Sequence, residues 1–120
     1  MSASRPLVTV AETAAYLAAA SRLFDDEERS EIVAFLAGSP TAGDLIVGTG
    51  GVRKLRWARK GTGKRGGARV IYFFHSDQMP LYLLTAFGKN QKANLTKAER
   101  NSLASLVAQL VSVHSSRRKP

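Results

Sequence analysis

Between Leu45 and Ser76 the chain carries no acidic residue, while Arg53, Lys54, Arg56, Arg59, Lys60, Lys64, Arg65 and Arg69 supply eight positive charges. The same stretch interleaves those cations with Val52, Leu55, Trp57, Val70, Tyr72 and Phe74. That pattern suits strands, whose side chains point to opposite faces in turn. Two short strands are expected, Val52–Ala58 and Ala68–Ser76, joined by a loop of glycine, lysine and arginine. A solvated face ordinarily mixes both signs. An unopposed cluster on one strand pair is the footprint of a polyanion site, with nucleic acid the foremost candidate.

Alternation then sorts the residues. Arg53, Leu55 and Trp57 share one face of the first strand; Val52, Lys54 and Arg56 share the other. With Leu55 and Trp57 turned to the core, Lys54 and Arg56 stand out together. In the second strand Val70, Tyr72 and Phe74 form the inward set, which leaves Arg69 and His75 on the face of Lys54 and Arg56. A third strand over Leu81–Lys89 carries Leu81, Leu83, Thr85 and Phe87 on one side and ends on Lys89. Several cations thus converge on one face. The alternative is a basic edge without a common focus. His75, a lone histidine at a strand end, also has a structural alternative, and His114 reads as surface.

The glycines at 48–51 and 61–67 do not spell a phosphate-binding loop. Gly63-Lys64 is followed by Arg65 instead of Ser or Thr, and the segment leads into a strand, not a helix. It reads as a flexible hairpin whose Lys64 and Arg65 reach a backbone phosphate.

The remaining elements follow from capping and periodicity. Pro6–Val10 is expected as an edge strand. Thr13–Phe24 is alanine-rich, with Tyr16, Leu17, Ala20, Leu23 and Phe24 on one stripe, and reads as a helix. Asp25 caps a second helix, with Glu28 three residues on, and Gly38, Ser39 and Pro40 stop it. The acidic turn could in principle hold a metal, but successive carboxylates at a helix start point apart, and capping explains them. Residues 40–51 are expected as loop. Thr96-Lys-Ala-Glu99 opens a third helix with the stripe Leu103, Leu106, Val107, Leu110 and Val111. Residues 1–5 and 115–120 read as frayed tails. The order β-α-α-β-β-β-α predicts a single α+β domain over residues 1–120, built on a small antiparallel sheet.

Charge distribution supports a division of labour. Net charge is +9, but residues 1–44 hold three basic side chains against seven acidic ones, and residues 45–120 hold fifteen against two. Absence of cysteine removes disulfides and thiolate metal sites. The basic half holds only Asp77, Glu99 and two histidines as candidate ligands, without metal-binding spacing, so no metal or other cofactor is expected. Apolar runs are too short to span a bilayer and the N-terminus lacks the order of a signal peptide, so no membrane partner is expected and the cytoplasm is the expected location.

Taken together, Gly48-Thr-Gly-Gly-Val-Arg-Lys-Leu-Arg-Trp57, Gly63-Lys-Arg-Gly-Gly-Ala-Arg-Val-Ile-Tyr72, Leu83-Leu-Thr, Gly88-Lys-Asn-Gln-Lys92 and Leu95-Thr-Lys-Ala-Glu99 resemble the RelE/HigB superfamily of type II toxins, most of all its HigB-like branch. The resemblance runs over roughly residues 7–112 and implies the RelE-like microbial-RNase fold. It implies a metal-independent mRNA endonuclease acting in the ribosomal A site, held in check by a cognate antitoxin of helix-turn-helix type. By this resemblance Lys54 and Arg56 match the basic strand pair, Arg69 opens the next strand and Lys89 closes the last. Arg56 and Arg69 would then grip the phosphate, while Lys54 and Lys89 stabilise the transition state or exchange protons, with His75 a second candidate base. Arg53, Lys64, Arg65, Phe87 and Lys92 complete the expected RNA contacts, Phe87 by stacking on a base. The chain departs from several relatives in lacking a tyrosine after Tyr82 and in having Asn90 where some carry arginine. A non-enzymatic RNA- or ribosome-binding module, or an inactive toxin relative serving as a regulator, is the alternative reading.

Overall fold

The computed structural model describes residues 6–58 and 67–118, Arg117 and Arg118 by backbone alone. Each helix starts where a side chain can satisfy its first N–H groups. Helix α1 (Ala14–Ala20) begins at Thr13, whose Oγ1 accepts from the Tyr16 N–H at 3.1 Å. The same hydroxyl donates to the Leu83 carbonyl at 2.8 Å and so pins the helix to the sheet. Helix α2 (Asp26–Gly38) is capped by Asp25, which accepts from Glu28 N–H at 2.7 Å, and three further acids in its first turn favour the helix dipole. Helix α3 (Lys97–Arg118) opens with the expected reciprocal box. Thr96 N–H donates to Glu99 Oε1 at 2.8 Å, and Glu99 N–H donates to Thr96 Oγ1 at 3.1 Å. It continues through Arg118, past the point where a frayed tail was expected.

The strands are β1 (Val10–Glu12), β2 (Asp44–Leu45), β3 (Val52–Trp57), β4 (Ala68–Phe73) and β5 (Leu81–Gly88), and they form one sheet in the order β1-β5-β4-β3-β2. The α+β reading holds, with three corrections. The sheet is mixed, not purely antiparallel, because β1 runs parallel to β5, with Val10 beside Leu81. That strand also starts later than expected: Val8 N–H is taken by the Ala37 carbonyl, and Thr9 hands its carbonyl to Leu81 N–H. Pairing of β2 with Arg53 and Lys54 turns part of the expected loop into a short edge strand.

The turn into β3 explains the first glycine cluster. Gly50 and Gly51 have φ of 75° and 120°, and a Cβ on Gly51 would meet the Phe73 ring at 3.0 Å. Thr49, fully buried between them and Gly48, donates to the Ile46 carbonyl at 2.6 Å and accepts from Val52 N–H at 3.1 Å. These glycines shape a turn.

Apolar side chains fill both sides of the sheet. Tyr16 of α1, Ile32 and Leu36 of α2 and Phe24 of the link between them meet Leu55, Val70, Tyr72, Leu81 and Leu83 on one face. On the other, Val107 and the partly buried Leu103, Leu110 and Val111 of α3 cover Val52, Ile71, Phe73 and Phe87. Leu106, expected in that stripe, turns outward and is partly exposed. The second face is therefore only half open, since Ile71 and Phe73 cannot be left in water without cost.

Two buried tyrosines give opposite expectations. Tyr72 Oη accepts from Gly43 N–H at 2.8 Å and donates to the Pro40 carbonyl at 2.9 Å. Tyr72→Phe should cost about 1–3 kcal/mol, because both backbone groups lose their buried partner. Tyr16 Oη has no hydrogen-bond partner among the described residues, and burial first, then the nearby Glu12 charge, pushes its pKa up to about 12. Tyr16→Phe should be neutral or stabilising. A raised tyrosine pKa contributes stability below pH ~10 that is lost as pH rises toward ~12, and the variant should lack that loss. Urea titrations at pH 7 and across pH 10–12 check both; a costly Tyr16→Phe at neutral pH would contradict the assignment.

Candidate nucleic-acid interface

The strand register brings the expected cations together. Arg56 lies directly opposite Arg69 across β3 and β4, and Lys54 lies opposite Ile71 one step along the same face. Arg69 is in turn opposite Phe87 of β5. Arg56 is exposed, and Arg69 and Lys54 are half-buried where α3 stops covering the sheet. Lys89 is exposed at the same end, its N–H donating to the Gly67 carbonyl at 2.9 Å. Like charges facing across a strand pair destabilise it. Arg56 and Arg69 therefore add nothing to the fold by their charge, whereas together they can hold an anion by paired hydrogen bonds.

Other expected contacts are placed differently. Arg53 is on the opposite face, where its Nη1 donates to the carbonyls of Gly43 at 2.7 Å and Thr41 at 3.2 Å; it ties the residue 41–43 turn to β3. Phe87 is only 4% exposed, packed beneath α3, so its ring cannot stack on a base as it stands. Instead the Lys92 ammonium lies 5.1 Å from the ring centroid and also pairs with Glu99. That lysine, with the box hydrogen bonds, holds the Glu99 carboxyl below its usual pKa. His75 sits six residues beyond Arg69, roughly 20 Å at strand rise. It stacks on Phe73 and, with Met79, Val111 and His114, lines a small cavity at the far end of α3. His114, expected at the surface, is half-buried and bonded to Tyr82 Oη at 3.0 Å. Lys64 and Arg65, with Arg59 and Lys60, lie outside the described residues.

Two residues join the face unannounced. Lys54 Nζ donates to Asn94 Oδ1 at 3.2 Å, and Arg100 Nη1 donates to the Leu95 carbonyl at 2.9 Å. Arg100 precedes Leu103 and Val107 by three and seven positions, so the α3 stripe itself carries it toward the sheet. Extending that stripe one turn toward the cap would have found it. Asn94 has no such signal.

Among the described residues, no group of three or more His, Cys, Asp or Glu side chains is placed to hold a metal, and no helix is long and apolar enough to cross a membrane. The face can do two things chemically: bind an anionic backbone, and offset charge that develops on it.

Replacing Arg56 by Gln should raise stability by about 0.2–1 kcal/mol at low salt. The gain should shrink near 1 M salt, where screening acts over ~3 Å. Thermal melts at both salt concentrations check this; no low-salt gain would mean that the two guanidinium groups do not oppose each other.

Residues 21–118 match the family model described as the RelE toxin of the RelE/RelB toxin–antitoxin system.

Proposed function

The chain belongs to the RelE toxin family, and from that premise we propose that it is a ribosome-dependent mRNA endonuclease of the HigB-like branch. The observation that carries the reading is the Arg56–Arg69 pair with Lys54 beside it, three cations on one accessible face. In the proposed reaction the RNA 2′-oxygen bonds to the adjacent phosphorus and the bond from phosphorus to the 5′-oxygen breaks. The 2′-hydroxyl proton leaves to a base and the departing 5′-oxygen gains a proton. A cyclic phosphate and a 5′-hydroxyl result.

Charge accumulates on the non-bridging oxygens during this step. Arg56 and Arg69 are suited to meet it, since a guanidinium keeps its charge and offers two parallel donors. Lys54 and Lys89 stand at the same end and supply further charge and transferable protons. His75 is too distant along the sheet to share their phosphate, so the proposal assigns it no step. Setting and partners follow from the reading: the ribosomal A site in the cytoplasm, an mRNA substrate and a cognate antitoxin of helix-turn-helix type. A second reading, a non-enzymatic RNA- or ribosome-binding module, draws on the same face, because His75, the expected second candidate base, stands away from the arginine pair.

Inducible expression in bacteria, wild type beside Arg69→Ala, separates the two. The expected result is growth arrest with new 5′-hydroxyl ends inside translated codons, reduced on the order of 10²–10³-fold in the variant. A folded wild-type protein that produces neither would move the assignment to the binding module.

A further inference from the structure

Strand β5 outruns β1, and its last residue has no strand beside it on the outer side among the described residues. That residue, Gly88, is buried and stands opposite Ala68 of β4, while the next N–H, that of Lys89, crosses to the Gly67 carbonyl at 2.9 Å. Hydrogen-bonding groups of successive strand residues point to opposite sides. The N–H and C=O of Gly88 therefore face away from β4, toward the side where β1 pairs with β5 only over Leu81–Leu83. A buried N–H without a partner destabilises the fold. Gln91 supplies the partner: its Oε1 accepts from Gly88 N–H at 2.7 Å, and its own N–H donates to the Gly88 carbonyl at 2.9 Å. One residue thus makes both bonds that a paired strand would make. The turn folds closely over this point, since a Cβ on Gly88 would meet Asn90 Oδ1 at 2.7 Å and Leu23 Cδ2 at 3.6 Å.

Lys89 lies between two anchors. Its main-chain N–H is tied to Gly67, two residues before Arg69, and the residue before it is tied to Gln91. Its side chain is exposed and has a flexible four-carbon stem, so the backbone sets where its ammonium can reach. Lys92, which also holds this turn, leads elsewhere, to the Phe87 ring and Glu99. We propose that Gln91 is a positioning residue: by standing in for the absent strand at Gly88 it fixes the base of Lys89, and with it the place of that ammonium beside the phosphate at Arg56 and Arg69. A reacting group displaced by about 1 Å can lose on the order of 10²-fold in rate. The proposal rests on the RNA-cleaving reading for what Lys89 does, but the placement of Lys89 can be measured without cleavage.

The test uses Gln91→Met, which keeps the length of the side chain and removes the acceptor, beside Gln91→Glu, which keeps an acceptor in the same place. In single-turnover cleavage of mRNA on programmed ribosomes, Gln91→Met should lower the rate by up to about 10²-fold, and Gln91→Glu should retain most of it. A double-mutant cycle with Lys89→Met shows whether the effect passes through Lys89. Positioning predicts that Gln91→Met causes no further loss once the ammonium is gone; a merely structural role predicts that the two losses multiply. Multiplying losses, or a wild-type rate in Gln91→Met, would overturn the proposal. Gln91→Asn, which draws the acceptor back by one methylene, takes the same place in the cycle should Gln91→Met not fold. Two readouts need no cleavage. Amide hydrogen exchange at Gly88 should quicken in Gln91→Met and not in Gln91→Glu, and unchanged exchange would overturn the assignment of the bond. The same cycle, read on affinity for a short 2′-O-methylated RNA that cannot be cut, should show the same coupling. A wild-type protein that shows this coupling but cuts no RNA keeps the placement and removes the nuclease reading instead.

Discussion

Strand β4 has to be covered on both faces, and most of the molecule follows from that demand. Val70 and Tyr72 point one way and Ile71 and Phe73 the other, and all four are buried. Helices α1 and α2 answer the first pair, α3 the second. Arg69 is the second residue of the same strand, and no apolar side chain at its position calls for a cover. The cation face is thus the uncovered remainder of a core, with its floor stiffened by strands on either side of β4. Rigid elements of this kind hold charges more closely to a fixed geometry than a loop does.

Much of this was legible from residue order alone. Period-two alternation put Lys54, Arg56 and Arg69 on one face, and capping residues marked the starts of α2 and α3, because both signals act within a few residues. What failed acts over longer range. Nothing local in Pro6–Val10 says that the neighbouring chain will pair parallel to Leu81, which depends on where α2 ends. The expected β5 set of Leu81, Leu83, Thr85 and Phe87 is split by a register shift between Ile71 and Tyr72: Leu81 and Leu83 pack with α1 and α2, while Phe87 shares the face of Arg69, where its burial depends on how α3 crosses the sheet. His75 shares that face too; a face, however, is longer than a site, and parity says nothing about distance along a strand.

The β5–α3 connection shows how tertiary packing repurposes residues that read as generic. Lys92 looked like one more cation for RNA. In place, it spans the Phe87 ring and the Glu99 carboxylate, joining the end of the sheet to the first turn of α3. That same turn carries Arg100, whose Nη1 donates to the Leu95 carbonyl just before the helix, so a helix-start device also sets the position of this guanidinium. Lys92 thus serves stability, which separates it from the Arg56–Arg69 pair, whose like charges work against the fold.

At the outer margin of the sheet, β2 spans two residues and pairs with β3 only at Arg53 and Lys54. Beyond that point, among the described residues, the backbone of β3 runs on to Trp57 as an edge, the kind of row on which a strand from another molecule can build. Arg56 lies on that stretch. Its charge therefore guards the margin as well as serving the face: an approaching copy would have to align arginine with its own cations before any ladder could form. A chain with its basic face neutralised would lose that deterrent, and self-association would compete with the binding of any anionic partner.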